Sequence, residues 1–411
     1  MENNRDKNNR VILLTVLVAA LGYFVDIYDL LLFGIVRRAS LADLGVSDAM
    51  QLAVGTSLLN WQMMGLLLGG LFWGILGDKR GRITVLFGSI IIYSLANIAN
   101  GFVQDIGTYK LMRFIAGIGL AGELGAGITL VSEVMGKHHR GWGTTIVASV
   151  GLLGAVAAYG VSELVSSWRV CYWIGGVLGL LLLLLRISVH ESGMYKNLAG
   201  AQTPKGHFML LVSPPKRFSK YLATILIGTP TWFVVGILIT FCDQFASLLG
   251  VSSKPIPGQA IMWCYVGLSL GDLASGALSQ LLNSRKRVMF IFHFMSSLTV
   301  IYYLRAENAG IDLFYFKCFL LGFGVGYWAI FVTIASEQFG TNIRATVTTT
   351  VPNFARGLLV PISLAFKSLS TSMGSIISAA YVVGGICLFI ALLALAYSKE
   401  TFGKNLDYLE E

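Results

Sequence analysis

The sequence predicts an all-α membrane protein with twelve transmembrane helices, arranged as two six-helix bundles related by pseudo-symmetry. Three observations support this fold class: the composition, the spacing of long apolar runs, and a repeat between the two halves of the chain. Hydrophobic residues make up 55% of the chain and charged residues only 12%, about half the charged fraction of soluble domains. The bilayer must therefore replace water around most of the surface.

Long apolar runs divide the chain into two sets of six, on either side of a polar stretch at 189–219. Each run is long enough to cross a bilayer, which takes about 20 apolar residues in a helix. The predicted spans are 11–36, 50–76, 83–103, 108–134, 142–165, 168–188, 221–249, 258–283, 287–304, 311–339, 343–366 and 373–398. They give an N-terminal bundle at 1–188, a cytoplasmic linker at 189–220, a C-terminal bundle at 221–398 and a tail at 399–411.

Lysine and arginine are concentrated in alternate connections, including 79–82, 137–140, 196–220 and 285–287. Cytoplasmic loops of membrane proteins carry such an excess, so both termini are predicted to be cytoplasmic. We expect a multi-pass plasma-membrane protein, of a bacterial inner membrane. The formal net charge of +9 is then a signal of topology, and no nucleic-acid partner is expected.

Matching residues recur at a nearly constant offset between the halves, which indicates an internal repeat. At an offset of 204 the pairs are Arg113 with Lys317, Gly122 with Gly326, Ser132 with Ser336, Glu133 with Glu337, and Arg140 with Arg344. At an offset of 202, Gly69 matches Gly271, Gly74 matches Gly276, and Asp78 faces Gln280. A parallel repeat of this kind places a substrate site near the midplane, between the halves.

The cysteines and histidines give no sign of enzyme or metal chemistry. All five cysteines lie in apolar segments without a Cys-x-x-Cys pair, so we expect small buried hydrophobic residues. No cluster of metal-ligating types and no nucleophile motif is present in the sequence. We therefore expect a monomer that is not an enzyme and needs no cofactor or metal.

Three loop motifs resemble those of the major facilitator superfamily. Residues 74–82 (GILGDKRGR) resemble its signature between helices 2 and 3, and Ser132-Glu133 with Arg140-Gly141 resembles its helix 4–5 loop. Residues 186–195 are similar to the sugar-porter signature after helix 6, with His190 in place of proline. The resemblance covers nearly the whole chain and implies secondary transport by alternating access.

The first motif also predicts a gate on physical grounds. Gly74 allows close helix approach, Asp78 suits a helix N-terminus, and Arg82 suits a carboxylate such as Glu133. Since Gln280 replaces the aspartate in the second copy and Asn283-Ser284 replaces the Gly-Arg pair, we expect an asymmetric latch. The predicted gating residues are Gly74, Asp78, Arg82, Glu133, Arg140, Glu337 and Arg344.

Several ionisable residues are predicted near mid-depth, where each costs about 2.5–3.5 kcal/mol to insert. Because four acids and one arginine cannot all stay charged there, at least one carboxyl group is expected to hold a proton in some states. The mid-depth residues are Asp26, Asp29, Glu123, Asp272 and Arg356. The predicted proton-coupling residues are Asp26, Asp29 and Glu123, together with Arg113.

Neighbouring branches of the superfamily share three of these segments. Residues 22–29 resemble the acidic helix 1 motif of aromatic acid:proton and metabolite:proton symporters, and residues 113–123 resemble helix 4 of metabolite:proton and sialate-type symporters. The spacing of Glu337, Arg344 and Arg356 resembles organic anion transporters, where the second arginine belongs to an anion-handling site. The predicted substrate-binding residues are Arg356, Asp272, Trp61, Gln62, Tyr327, Trp328 and Asn353.

The sequence thus predicts a proton-coupled symporter that imports a small organic anion. Arg356 is expected to alternate between a carboxylate of the protein and the substrate, and protonation of Asp26, Asp29 or Glu123 would release it to bind the substrate. Helix 5 has Gly151 and Gly154 but no proline, which favours uptake over drug export. Three alternatives remain open. The chain could carry sugars or zwitterionic metabolites, it could be a transport-inactive receptor or scaffold, or its buried charges could form structural ion pairs only.

Overall fold

The computed structural model describes residues 2–136, 139–186, 206, 208–213, 215–305 and 308–410. Within these ranges every regular element is a helix, which confirms the predicted fold class. Most of the predicted linker lies outside the described residues. The tail at 399–410 packs against the helices and does not hang free.

Apart from two short helices, Met209–Val212 before span 7 and Cys242–Leu248 after it, the helices fall into twelve successive spans, numbered here in chain order. Spans 1–6 are Glu2–Asp43, Asp48–Arg80, Arg82–Asn100, Ile106–Leu120 with Glu123–Val134, Arg140–Leu152 with Gly154–Leu164, and Trp168–Arg186. Span 7 is Pro215–Leu226 with Thr229–Phe233 and the π-helical turn Val234–Ile239. Spans 8–12 are Pro257–Leu281, Arg285–Leu304, Ile311–Gly324 with Trp328–Gln338, Arg344–Gly357 with Leu359–Met373, and Ile376–Tyr397.

Eleven of these spans, among the described residues, are apolar and long enough to cross a membrane. Span 11 is the exception, because Arg344–Gly357 carries four threonines, an asparagine and two arginines. Those polar side chains are buried against other spans and not exposed to lipid. The exposed surface is instead rich in large apolar side chains, such as Leu13, Leu184 and Leu281, as a bilayer requires.

Five spans are interrupted near their middle: span 7 at Ile227-Gly228, and four others in repeat-related pairs. Span 4 breaks at Ala121-Gly122 and span 10 at residues 325–327, while spans 5 and 11 break at Leu153 and Leu358. Broken helices expose backbone N–H and C=O groups inside the bundle, where they serve as ligands or need partners. The fold therefore concentrates unsatisfied polar groups at mid-depth, between the two halves.

The halves meet along close helix contacts in which glycines remove side-chain bulk. A Cβ at Gly276 of span 8 would lie 2.2 Å from the Thr145 hydroxyl oxygen of span 5. A Cβ at Gly125 of span 4 would lie 2.4 Å from the Thr349 Cα of span 11. Larger residues would push the halves apart, so these contacts fix the closed arrangement described below. The five cysteines are buried and free, as predicted.

Candidate functional site

Span 2 is fastened to span 11 at the face that carries the C-terminal tail, which we call the terminal face. The Asp78 carboxylate accepts hydrogen bonds from the backbone N–H of Ala345 (3.0 Å) and of Thr346 (2.8 Å). These are orphan N–H groups at the start of the helix that begins at Arg344, so the carboxylate caps the positive end of its dipole. At Gly74, a Cβ would lie 2.9 Å from the Thr346 Cα, so the two backbones touch.

Two buried ion pairs cross between the halves at the same face. Arg344 Nη1 lies 3.2 Å from Glu133 Oε1, and Arg140 Nε lies 2.9 Å from Glu337 Oε1. Since the arginines are repeat partners and so are the glutamates, each half supplies one arginine and one carboxylate to the other. All four residues are at most 6% exposed.

Each glutamate also holds a second arginine from its own half. Arg82 Nη2 lies 2.8 Å from Glu133 Oε1, and Arg285 Nη2 lies 3.4 Å from Glu337 Oε1. Arg285 therefore takes the place of Arg82 in the second half, although the repeat offset aligns Ser284 with it. The predicted asymmetry is wrong for this ion pair.

The asymmetry is retained at the helix cap. Gln280, the counterpart of Asp78, places its side-chain nitrogen beside Gly141, where an added Cβ would meet it at 2.1 Å. Gly141 is the repeat partner of Ala345, so both side chains approach the start of an equivalent helix. Only Asp78 brings a negative charge to that helix end.

Paired threonines continue the crossed pattern deeper into the interface. The hydroxyl groups of Thr144 and Thr333 lie 2.7 Å apart, and those of Thr129 and Thr348 are also hydrogen-bonded. At the offset of 204, Thr129 corresponds to Thr333 and Thr144 to Thr348. The pseudo-symmetry axis therefore passes between the two ion pairs and, deeper in the interface, between the two threonine pairs.

The C-terminal tail covers this network. Arg140 Nη2 donates to the carbonyl oxygen of Lys404 (2.7 Å), and Arg344 Nη2 donates to that of Leu406 (2.5 Å). Both arginines that cross the interface thus also bind the tail at 399–410. The terminal face is sealed by ion pairs, helix capping and a strap of main chain.

Cavities lie at the opposite face. A narrow cavity of about 70 Å³ runs from Arg37 to Trp232 and is mostly apolar. Two wider cavities of about 420 and 500 Å³ adjoin it at Arg37. One exposed ion pair, Arg38 with Asp243, joins the halves at this rim. The arrangement is closed at the terminal face and accessible from the other.

Arg356 lies at the inner end of this path. Its guanidinium carbon is 6.0 Å from the ring centre of Trp232 and 5.9 Å from that of Trp328. Nη1 donates to Asn353 Oδ1 at 3.1 Å, and Nε has no hydrogen-bond partner. Arg356 is 1% exposed and forms no ion pair with any described residue. A buried cation is therefore held by two indole rings and one amide.

Asn353 connects Arg356 to the break in span 4. Its Nδ2 donates to the carbonyl oxygen of Ala121 (2.9 Å) and to that of Thr349 (2.7 Å). The first of these carbonyls lies two residues before Glu123, which is buried in the first turn after the break. One amide thus joins the arginine of one half to the acidic segment of the other.

Tyr23 of span 1 joins the same region from the N-terminal half. It is buried beside Trp328 and lies within electrostatic reach of Arg356, Asp26 and Asp272. Arg356 and Asp272, predicted to bind substrate, and Asp26, predicted to couple protons, are therefore neighbours of one phenol. Tyr23 was not among the predicted site residues.

Asp29 and Arg113 belong to a second buried cluster, inside the N-terminal half. Arg113 Nη2 donates to Asn97 Oδ1 (2.5 Å), and its guanidinium carbon lies 4.7 Å from the Tyr172 ring centre. Asp29 packs on Gly175 and lies within electrostatic reach of Arg113, but Asp29 and Arg113 form no ion pair. Asp26 and Asp29, predicted to share one helix face, are both fully buried and lie within electrostatic reach of each other.

Asp272 has a local structural partner. Its Oδ1 accepts a hydrogen bond from the backbone N–H of Ala329 at 3.0 Å, in the first turn of the second helix of span 10. The carboxylate therefore caps the helix after the break, while Oδ2 is buried without a hydrogen bond. A substrate-binding role would use only that second oxygen.

Three predicted substrate-binding residues do not contact Arg356. Trp61 is 39% exposed and packs edge-on against Phe114. Tyr327 is buried and stacks on His293, with ring centres 4.7 Å apart. Gln62 is buried on span 2, and its amide makes no hydrogen bond within the described residues. The Tyr327 hydroxyl is likewise buried without a hydrogen bond to a described residue.

A family model described as the Major Facilitator Superfamily matches residues 12–364. The chain is 28% identical over 355 residues to a putative metabolite transport protein of Haemophilus influenzae, with 83% of this chain and 84% of that one covered. It is 26% identical over 398 residues to a probable 4-methylmuconolactone transporter of Cupriavidus pinatubonensis, covering 93% and 87%. It is also 28% identical over 343 residues to the 3-(3-hydroxy-phenyl)propionate transporter of Escherichia coli, covering 80% and 82%.

The architecture also matches solved structures. The proton:xylose symporter XylE, bound to 6-bromo-6-deoxy-D-glucose, superimposes with a TM-score of 0.80. The match covers 97% of this chain and 98% of that one, at 15% sequence identity. At this identity the likeness establishes the shared fold.

Proposed function

This chain belongs to the Major Facilitator Superfamily, and we propose that it is a proton-coupled symporter that imports a small organic anion by alternating access. Its relatives are transporters and not enzymes. The substrate we propose is a carboxylate with an aromatic or unsaturated aliphatic body.

The buried state of Arg356 carries this proposal. A guanidinium keeps its charge under all physiological conditions, and a buried charge left without a counter-ion costs several kcal/mol. Here the indoles of Trp232 and Trp328 and one amide provide weak compensation, and Nε is unused. A substrate carboxylate would supply both the missing charge and the missing hydrogen-bond acceptors.

The names of the relatives agree with this chemistry. The two substrates named above are a lactone and an acid, and further relatives are a niacin transporter and a cis,cis-muconate transport protein of Acinetobacter baylyi. The niacin transporter is 25% identical over 80% of this chain, and the muconate protein 24% over 91%. Planar or unsaturated acids would pack their bodies against the two tryptophans.

Asp26, Asp29 and Glu123 are our proposed proton carriers, with Arg113 as the positioning cation. All four residues are buried, and Asn353 links Arg356 to the segment that holds Glu123. A proton on one of these acids would lower the negative charge near Arg356 and so reduce the repulsion of the substrate anion there. Proton and substrate would then bind in the same state, which is the condition for symport.

We propose that the terminal face is cytoplasmic, since the basic connections lie on that side. The cavities at Arg37 then open to the outside, and the structure represents an outward-facing state. A cysteine at Gln104, in the connection between spans 3 and 4, should react with an impermeant maleimide from outside intact cells. A cysteine at Asp407, in the tail, should react only after permeabilisation.

Transport into proteoliposomes with an imposed pH gradient tests the proposed function. Nicotinate, cis,cis-muconate and 3-(3-hydroxyphenyl)propionate would be compared with nicotinamide and xylose. We expect uptake of at least one carboxylate, with alkalinisation of the external medium as protons enter. Nicotinamide is the matched control because it has the ring of nicotinate without the charge.

Arg356→Lys and Arg356→Ala give the matching protein controls. Lysine keeps the charge but not the planar fork, so affinity for the carboxylate should fall sharply. Uptake of xylose or nicotinamide alone, or normal carboxylate uptake by Arg356→Ala, would contradict the organic-anion proposal.

A further inference from the structure

We propose that Arg37 forms a second anion site, at the mouth of the outward-facing cavity, where the substrate carboxylate binds before it reaches Arg356. This inference rests on the proposed function and adds a residue that determines which solutes enter. The ligand class is an amphipathic carboxylate, with its charged end at Arg37 and its apolar body directed inward.

The position of Arg37 supports an entry site. Its side chain lines both of the wider cavities and the outer end of the narrow one. Any solute that moves from the rim to Trp232 therefore passes this guanidinium. Trp232, at the other end of the narrow cavity, is one of the two rings that flank Arg356.

The side chain has a built place. A Cβ added at Gly55 of span 2 would lie 2.7 Å from Arg37 Cδ, so the absence of a side chain at Gly55 admits the arginine stem. Arg37 is partly buried, whereas its neighbour Arg38 is exposed. Partial burial reduces screening by water, so an anion bound here gains more than at an open surface.

The charge of Arg37 is not consumed by the protein. Among the described residues it makes no ion pair, because the nearby carboxylate of Asp243 pairs with Arg38. Lys254 adds a further positive charge to the same cavities, and Glu163 at their edge is the other acid that lines them. Three cations therefore face two carboxylates, and among the described residues neither Arg37 nor Lys254 forms an ion pair with either of them.

The narrow cavity between the two arginines selects the body of the solute. Its walls include Leu30, Phe33, Met63, Phe241 and Ile261. A hydrated sugar would lose hydrogen bonds on entering this segment, whereas an aromatic or aliphatic chain would not. Anion capture at Arg37 and apolar passage toward Trp232 together favour organic acids over inorganic anions and over sugars.

Removing the charge with Arg37→Cys tests the inference. Uptake of external nicotinate, muconate or benzoate is measured in proteoliposomes that contain the outward-facing transporter. We expect KM to rise about tenfold with little change in maximal rate, as for loss of one charge-assisted hydrogen bond. A cationic reagent, 2-(trimethylammonio)ethyl methanethiosulfonate, should restore KM toward the original value. The anionic 2-sulfonatoethyl reagent should raise KM further.

Two variants keep the test interpretable. Gln104→Cys, an exposed residue in the connection between spans 3 and 4, controls for effects of the reagents. Arg37→Lys keeps the stem and the charge, so its KM should stay within a few-fold of the original even where Arg37→Cys fails to fold.

The outcomes separate the two proposals. If the unmodified protein transports no carboxylate, both fail. If it transports carboxylates but Arg37→Cys has an unchanged KM, or both reagents shift KM in the same direction, only the entry site is overturned.

Discussion

Replacing Glu133 with glutamine is expected to open the terminal face, which we propose to be the cytoplasmic gate. Its Oε1 lies 2.8 Å from Arg82 Nη2 and 3.2 Å from Arg344 Nη1, and all three residues are at most 6% exposed. Removing one partner of a buried ion pair costs about 3–5 kcal/mol, because the remaining charge stays desolvated. Opening the gate hydrates both arginines, so the cost falls on the closed state alone.

The lower end of that range applies here. Arg82 retains Asp78 at 3.6 Å and two backbone carbonyls, while Arg344 retains two carbonyls, so neither cation is stranded. About 3 kcal/mol corresponds to a shift of roughly 100-fold toward the inward-facing state. The pseudo-symmetry predicts a shift of similar size for Glu337→Gln.

Alkylation of Asn60→Cys measures the shift, since Asn60 lines the narrow outward-facing cavity. An impermeant maleimide added outside should react more slowly when Glu133→Gln or Glu337→Gln is present. Glu163→Gln is the control, because this acid is exposed and its neutralisation should change little. Equal alkylation rates in Glu133→Gln and Glu163→Gln would refute the reasoning that buried ion pairs hold the gate closed.

Three further predictions follow from contacts described above. Asp78→Asn should also favour the inward-facing state and slow transport, as neutral capping is weaker; Gln280→Ala, its repeat counterpart, should have a smaller effect in the same alkylation assay. Asn353→Ala should weaken substrate-induced proton uptake, measured with a pH dye, more than substrate binding, measured by thermal stabilisation. The reason is that it removes the amide that links Arg356 to the break in span 4, and equal loss of both would contradict this. Burial raises the pKa of the Glu400 carboxyl, but hydrogen bonds from Ser284 and three backbone N–H groups hold it below the ordinary 4.5. The stabilisation of the tail by the Glu400 carboxylate is therefore complete above about pH 4.5 and is lost only as the pH falls further toward the lowered pKa. Limited proteolysis of the tail should be unchanged between pH 8 and 5, and Glu400→Gln should increase it at every pH in that range.

The fold was predictable because its signals are local. Hydropathy located the spans, and the offset of about 204 residues related the halves before any helix was placed. The interruptions in spans 4, 5, 10 and 11 were not predicted, since they depend on partners from other helices. The break in span 4, for example, is tied by the Asn353 amide, which no local pattern around Ala121 reveals.

The site was predictable in composition but not in arrangement. Ionisable residues at mid-depth are rare enough to be found by inspection, and Arg356, Asp26 and Asp272 do lie around one tyrosine. How each helix is rotated decides the rest: Trp61 is exposed, and Asp272 caps a helix.

Two site residues were missed for identifiable reasons. Tyr23 lies within the acidic motif at residues 22–29, and no sequence pattern distinguishes it from aromatic residues that only pack in the core. Arg285 was missed because a one-residue shift of the second loop places it out of register with Arg82, although both bind the equivalent glutamate. Only the position of the side chain in space shows that the second half kept this ion pair.

Span 11 connects the proposed site to the gate. Arg344 and Arg356 lie on one helix, Arg344–Gly357, about 18 Å apart by the rise of an α-helix, with Pro352 between them. The first arginine pairs with Glu133 at the terminal face, where Asp78 also caps the helix, and the second lies beside the two tryptophans and Asn353. Under the proposed function, a carboxylate that pulls Arg356 toward itself would move or tilt the helix that also holds the gate. Because span 11 breaks at Leu358, its outer helix would not have to follow, and we expect substrate binding at Arg356 to favour release of the ion pair between Arg344 and Glu133.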